Sequence, residues 1–290
     1  MEILRYVAFA TDPAGGNPAG VVLDATGADE TEMAAVAAEV GYSETAFAVP
    51  RPDGGLDVRY FSPKAEVPFC GHATIATAVA WAERHGPGEL ELHTPAGLVR
   101  VATSAGTGSG GSGGGTTGVR AELVSVPPRT APLDPGDLAE LLAALRWAPG
   151  DLDAALPPRV AYAGAWHPVV AAASRERLAD LDYDMAALGA LMERRGWTTV
   201  DLVWREGPDV FHARNPFPPG GVVEDPATGA AAAAFGGYLR ELGLVGVPAL
   251  LTVHQGDDMG RPSVITVRVP ADPGSGIGVS GTGAVIPAAG

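Results

Sequence analysis

Cysteine is nearly absent from this 290-residue chain, which contains only Cys70. No disulfide can form within it, and thiolate-rich zinc or iron–sulfur sites are excluded. That usage fits a reducing, cytoplasmic setting. Basic residues are also scarce: 19 Lys and Arg stand against 34 Asp and Glu, a formal net charge of −15. Such a surface repels phosphate backbones, so no nucleic-acid partner is expected. An anionic substrate is still compatible, provided that a local patch of donors or a helix N-terminus receives it. No apolar run approaches the length of a membrane span, and Met1-Glu2-Ile3-Leu4-Arg5 lacks the basic-then-apolar layout of a signal peptide. No membrane partner is expected.

The composition that remains is globular. Hydrophobic residues make up 46% and charged ones 18%, enough to bury a sizeable core in two ordinary domains or one large one. A Gly/Ser/Thr tract at 104–118 has no apolar periodicity and reads as a flexible loop. Before it, the pattern predicts strands at 2–10, 20–24, 45–49 and 56–61, helices at 31–40 and 72–85, and a hairpin of 90–94 with 98–102. After it come strands at 119–126, 160–163, 169–173, 200–204, 210–213, 250–253 and 263–269, with helices at 137–147, 185–195 and 227–242.

The two parts echo each other. Leu56-Asp57-Val58-Arg59-Tyr60-Phe61-Ser62-Pro63 precedes Cys70-Gly71-His72-Ala73-Thr74 and a long Ala-rich helix. Asp209-Val210-Phe211-His212-Ala213-Arg214-Asn215-Pro216 precedes Glu224-Asp225-Pro226-Ala227-Thr228-Gly229 and a second one. Each helix leads to a Val-Arg-Val triplet, at 99–101 and 267–269. A unit of this length is too long for a solenoid repeat and fits a duplicated domain. The expected halves lie on either side of that tract, 1–118 and 119–275, with a ligand in the cleft between them.

Both long helices begin at matching places. A helix N-terminus presents free N–H groups and partial positive charge, which suits a carboxylate or an oxyanion. Asp225 followed by Pro226 is also what helix physics prefers at an N-cap and first turn, so on its own it reads as structure before function. A His at a helix start, such as His72, is commonly just a satisfied polar group. Cys70 and His72 are too close in sequence, and too short of further ligands, for a metal site; none is expected. Glu44 lies between a helix and an apolar strand, near Tyr42 and Phe47. It is either a solvated loop carboxylate or a partly desolvated base suited to a carbon-bound proton. Gly15-Gly16-Asn17-Pro18-Ala19-Gly20 lacks the context of a phosphate loop and reads as a turn. Residues 255–263 read as a hairpin turn or as a binding loop.

Taken together, Gly16-Asn17-Pro18, Ser43-Glu44-Thr45-Ala46-Phe47, Phe69-Cys70-Gly71-His72-Ala73-Thr74, Glu224-Asp225-Pro226-Ala227-Thr228-Gly229 and Gln255-Gly256 resemble the motifs of the PhzF-like, phenazine-biosynthesis-type family, in family order over nearly the whole chain. The resemblance implies an α+β fold of the diaminopimelate-epimerase type: two pseudo-symmetric halves, each a β-barrel wrapped round a central helix, with a closing strand at 276–290 that returns to the N-terminal half. It implies a homodimer without metal or organic cofactor. It places proton transfer on Glu44, with His72 and Asp225 helping to hold a small carboxylated substrate. Asn17, Gly71, Ala73, Thr228, Gly229, Ala230 and Gln255 are the expected substrate contacts. Related epimerases use two cysteines; with Cys70 alone, one carboxylate base is the remaining candidate, which favours isomerisation over inversion. Ala230 stands where family members often have Ser, which removes a hydroxyl from the expected site. The competing reading is a binding or scaffold protein that retains the fold without the reaction.

Overall fold

The computed structural model describes residues 1–107 and 116–287. The chain divides into two compact units, one of Met1–Val124 with Ser280–Gly290 and one of Ser125–Val279. In chain order the first unit contributes β1 (Leu4–Ala8), β2 (Asn17–Val22), α1 (Glu30–Val40), β3 (Thr45–Pro50), β4 (Leu56–Phe61), β5 (Glu66–Val67), α2 (Gly71–His85), β6 (Glu89–Thr94), β7 (Gly97–Thr107) and β8 (Thr116–Val124). The second contributes β9 (Arg129–Pro132), α3 (Pro135–Leu145), β10 (Arg159–Tyr162), β11 (Trp166–Ala171), α4 (Arg175–Ala179), α5 (Met185–Arg195), β12 (Asp201–Arg205), β13 (Val210–Phe217), β14 (Val222–Asp225), α6 (Gly229–Glu241), β15 (Ala249–Gln255) and β16 (Ser263–Val269). The last strand, β17 (Gly278–Val285), returns to the first unit.

In the first unit the strands pair in the order β1-β2-β3-β4-β6-β7-β8-β17, and β17 pairs β1. This closes an eight-stranded barrel. Closure removes the unpaired strand edges that an open sheet would carry. In the second unit β9-β10-β11-β12-β13-β15-β16 follow one another as neighbours. The β2–β3 and β4–β6 pairs are parallel and are bridged by α1 and by α2. The β11–β12 and β13–β15 pairs are likewise parallel, bridged by α4 with α5 and by α6. The α+β plan is therefore used twice, with matching strand senses.

Local chemistry explains the helix borders. Asp29 caps α1, accepting from Glu32 N at 2.9 Å, while the Glu32 carboxylate accepts from Asp29 N at 3.2 Å. Gly41 closes that helix at φ 72, a left-handed conformation that favours glycine. The long helices α2 and α6 are buried on every face along 72–80 and 231–239. A helix apolar all round belongs inside a core, and here alanine and glycine keep it thin enough for a sheet to wrap. A Cβ added at Gly237 would stand 2.3 Å from Pro128 Cβ, and one at Gly236 would stand 2.8 Å from Val267 Cγ1.

Several borders differ from the sequence expectation. Asn17 to Gly20, read as part of a turn, pair with β1 as the first residues of β2. The tract at 104–118, read as a flexible loop, is strand at both ends: Ser104 pairs with Arg120 and Thr107 with Thr116. Residues 108–115 of that tract lie outside the described residues. The short pieces β5, β9, β14 and α4, of two to five residues, were not expected. The three strand pieces, Glu66–Val67, Arg129–Pro132 and Val222–Asp225, carry no alternation of apolar and polar residues to announce them.

Candidate active site

In the first unit, three sequence-separated side chains meet at the N-terminus of α2. Glu44 sits in the link between α1 and β3, and its carbonyl accepts from Gly20 N at 3.1 Å. Gly20 faces Thr45 across the parallel β2–β3 pair, where a Cβ would come within 2.4 Å of Thr45 Oγ1. Glycine there lets the strands close up and sets the position of Glu44 next door. Cys70 is the N-cap residue of α2, with extended backbone (φ −142, ψ 116), and His72 is the second residue of the helix. Because Cys70 lies outside the helix, its side chain does not follow helical spacing. It swings to within 3.3 Å of His72 Nδ1 and 3.8 Å of Nε2.

The Glu44 carboxylate completes the group. Its Oε2 accepts from the Cys70 thiol at 3.5 Å and lies 3.5 Å from His72 Nε2. Ser43 Oγ is 3.3 Å from the same ring nitrogen. Cys70 and His72 are buried, and the Glu44 side chain keeps 17% of its surface exposed. The expected apolar neighbour, Phe47, packs edge-on against Phe61 at 5.6 Å in the core beneath α1 instead. The Cys70 carbonyl is pinned from behind by Thr74 N at 3.0 Å and Thr74 Oγ1 at 2.7 Å. Thr74 Oγ1 in turn meets Tyr60 OH at 2.7 Å. Burial pushes the Tyr60 hydroxyl pKa upward, so it stays protonated. The N–H groups of Gly71, His72 and Ala73 precede the first intrahelical bond, the one Thr74 N makes to Cys70 O. Asn17, buried, stands in β2 three residues before Gly20.

In the second unit, Asp225, Thr228 and Gln255 are knit together. The expected N-cap role of Asp225 is not what forms. Asp225 ends β14, and α6 starts at Gly229 with Thr228 as its cap residue. The reason is tertiary. Gln255 Nε2 donates to Asp225 O at 2.7 Å and to Thr228 Oγ1 at 3.0 Å, while its Oε1 accepts from Thr228 N at 3.0 Å. This clamp holds residues 225–228 as a turn. Thr228 Oγ1 then donates to Asp225 Oδ2 at 2.6 Å. Gly256 permits the clamp: its φ is +81, and a Cβ there would meet Arg261 O at 2.3 Å and Pro226 O at 2.8 Å. Gly229 and Ala230 open α6, whose first intrahelical bond is Ala232 N to Thr228 O. All of the Gln255 amide groups are engaged in this turn.

Sequence reading picked out Glu44 and His72 but overlooked Ser43 and Cys70 as their neighbours. It also took the short spacing of Cys70 and His72 as a bar to common ligation. The available signal was that Cys70 immediately precedes the helix, where side chains two apart can converge.

The sequence profile of the PhzC-PhzF family, described as phenazine biosynthesis-like protein, matches residues 6–289. A Bacillus subtilis (strain 168) protein called uncharacterized isomerase YfhB is 30% identical, over 98% of this chain and 96% of its own. The trans-2,3-dihydro-3-hydroxyanthranilate isomerase of Pseudomonas chlororaphis is 32% identical, over 95% of this chain and 94% of its own. Among solved structures, the phenazine biosynthesis protein of the PhzF family from Bacillus anthracis superposes with a TM-score of 0.86 at 25% identity, covering 99% of this chain and 98% of that one. A hydroxyproline epimerase from Agrobacterium vitis superposes at 0.61 with 15% identity, over 98% of this chain and 91% of that one, a likeness of fold alone.

Proposed function

The chain belongs to the phenazine biosynthesis-like (PhzC-PhzF) family and is an isomerase, and we propose that it moves a proton between carbons of a small carboxylated substrate with Glu44 as the acid and base. The carrying observation is the placement of the Glu44 carboxylate, partly open to solvent, within 3.5 Å of His72 Nε2 at the start of α2. Proton relocation within one molecule leaves its electron count unchanged, so its stoichiometry calls for no redox partner. A carboxylate alone suffices if it takes the proton from one carbon and returns it to another on the same face.

In this reading Glu44 removes the carbon-bound proton as its neighbour His72 holds the protonated carboxyl in place. The free N–H groups of Gly71 and Ala73 receive the substrate carboxylate or the charge that develops on it. Asp225, oriented through Thr228 and Gln255, binds a polar group of the substrate, and Gly229 and Ala230 offer backbone amides beside it. The reaction of the Pseudomonas chlororaphis relative supplies the first compound to try. Ala230 carries no hydroxyl, so substrates that do not need one there are favoured. The protein acts as a homodimer without a resident cofactor.

The test is carbon–hydrogen exchange in deuterated water, followed by NMR on trans-2,3-dihydro-3-hydroxyanthranilate and related small acids. Glu44→Gln should slow exchange on the order of 10²- to 10⁴-fold, the usual share of a general acid–base group. A folded Glu44→Gln variant that exchanges at the parent rate would remove Glu44 from the reaction. A chain that binds such acids and exchanges none would favour the non-catalytic reading.

A further inference from the structure

We propose that Glu44, Cys70 and His72 form a binding site for one thiophilic divalent cation of the zinc class, and that a cation seated there silences proton transfer. The second clause rests on Glu44 being the base; the first stands on donor geometry alone.

Three donor atoms of different kinds enclose a single point. Glu44 Oε2 is 3.5 Å from Cys70 Sγ and 3.5 Å from His72 Nε2, and Sγ is 3.8 Å from Nε2. The triangle is nearly equilateral. Zinc binds sulfur at about 2.3 Å and nitrogen or oxygen at about 2.0–2.2 Å, so its tetrahedral ligands stand roughly 3.3–3.6 Å apart. The observed separations are of that size, and Cys70 Sγ is closer still to the other ring nitrogen, Nδ1, at 3.3 Å.

Charge and framework agree. On binding, the Cys70 thiol gives its proton to solvent as the sulfur–metal bond forms, the neutral imidazole supplies a lone pair, and Glu44 binds as carboxylate. One thiolate and one carboxylate then balance a divalent charge. The donors are also held in advance: Cys70 through Thr74 and Tyr60, His72 by the helix, Glu44 by its carbonyl bond to Gly20. Three protein ligands leave the fourth tetrahedral position for water or an anion. Mixed sulfur, nitrogen and oxygen donors select zinc-like ions over magnesium or calcium, which prefer oxygen alone. With its lone pair on a cation, Glu44 cannot take a proton from carbon.

The experiment titrates the chelator-treated full chain with Co²⁺. Cys70 is the only cysteine, so a thiolate-to-cobalt charge-transfer band in the near ultraviolet reports this residue alone. The band should saturate at one equivalent, yield to added Zn²⁺, and vanish in Cys70→Ser, with folding checked by circular dichroism. His72→Gln and Glu44→Gln should each weaken cobalt binding at least tenfold. No band at a large excess of Co²⁺, or equal affinity in both of those variants, overturns the site. In the second arm, Zn²⁺ should suppress carbon exchange as the site fills, and a chelator should restore it. Cation binding with exchange undiminished overturns the silencing and Glu44 as base, while the site itself stands. A metal-free chain that shows no exchange on any acid counts against the isomerisation reading and leaves the cobalt result untouched.

Discussion

His167 is fully buried in β11, its Nδ1 2.8 Å from Thr199 Oγ1, and desolvation lowers its pKa to about 4. Asp201, at the start of β12, is also buried; desolvation raises its pKa to about 7, against the opposing bond from Asn215 Nδ2 at 3.1 Å. Thr199 Oγ1 donates to Asn215 Oδ1 at 2.7 Å and so links the two. Their effects on stability oppose each other. Between pH 6.5 and 4 the unfolded chain binds a proton at His167 that the folded chain refuses, so stability rises with pH. Between pH 3.8 and 7 the folded chain keeps a proton at Asp201 that the unfolded chain has lost, so stability falls with pH. Each slope is at most about 1.4 kcal/mol per pH unit, and across pH 4–6.5 they cancel. Asp201→Asn should therefore expose the His167 slope. Urea midpoints of that variant should climb from pH 4 to 6.5, and above pH 7 should exceed those of the parent. Equal pH profiles for the two proteins would show that Asp201 does not hold its proton in the folded state.

At the scale of elements, both central helices were legible, α2 to within one residue of its start, while the start of α6 was not. The Ala-rich runs at 72–85 and 227–242 announce buried helices, because so few large side chains leave room for an enclosing sheet. The start of α6 was misplaced because Asp225-Pro226 satisfies every local rule for a helix entry. Gln255, thirty residues later, overrides it by clamping Asp225 and Thr228. No local pattern carries that information. Likewise Glu44, Cys70 and His72 were visible as residues, but their convergence depends on the extended backbone of Cys70 and on the β2–β3 approach at Gly20. Two outcomes belong here. Gly237→Ala improves helix propensity yet drives a methyl group into Pro128. Overpacking of this kind costs about 1–3 kcal/mol, so the thermal midpoint should fall by several degrees. Thr228→Val removes the donor to Asp225 Oδ2 and the acceptor for Gln255 Nε2, and keeps the shape. Exchange should drop about tenfold and the melting midpoint should fall by a few degrees, since a lost hydrogen bond is worth roughly 1 kcal/mol.

At the scale of the molecule, the repeat seen in the sequence is a repeat of strand senses. β1 to β7 with α1 and α2 follow the same course as β10 to β16 with α4, α5 and α6, down to the short strands β5 and β14 ahead of each long helix. The copies differ at equivalent places. Thr45 and Asp201 both begin a strand that pairs in parallel, with Gly20 and Val169 respectively. Beside Thr45 stands the open Glu44; beside Asp201 the second unit has sealed polar groups into its core. The barrel of the first unit depends on β17. A chain ending at Ile277 leaves β1 and β8 without that partner. Cys70 should then react rapidly with Ellman's reagent, whereas it is buried in the intact protein. Tryptophan emission should change less, because four of the five tryptophans, Trp147, Trp166, Trp197 and Trp204, lie in the second unit, and Trp81 alone stands in the first. Slow thiol reaction in the truncated chain would show that the barrel holds without its last strand.

That dependence on β17 reverses the order in which the protein can be finished. Synthesis runs from the N-terminus, yet Tyr6 pairs with Val285, so the first strand made waits for the last. The second unit, continuous from Ser125 to Val279, can complete itself while the first still offers two open edges to chaperones and to other nascent chains. The Glu44–Cys70–His72 group is framed by the barrel that closes last. A ribosome that stalls before β17 emerges therefore leaves a product that lacks the closed barrel around that group, and quality control meets it with two strand edges exposed.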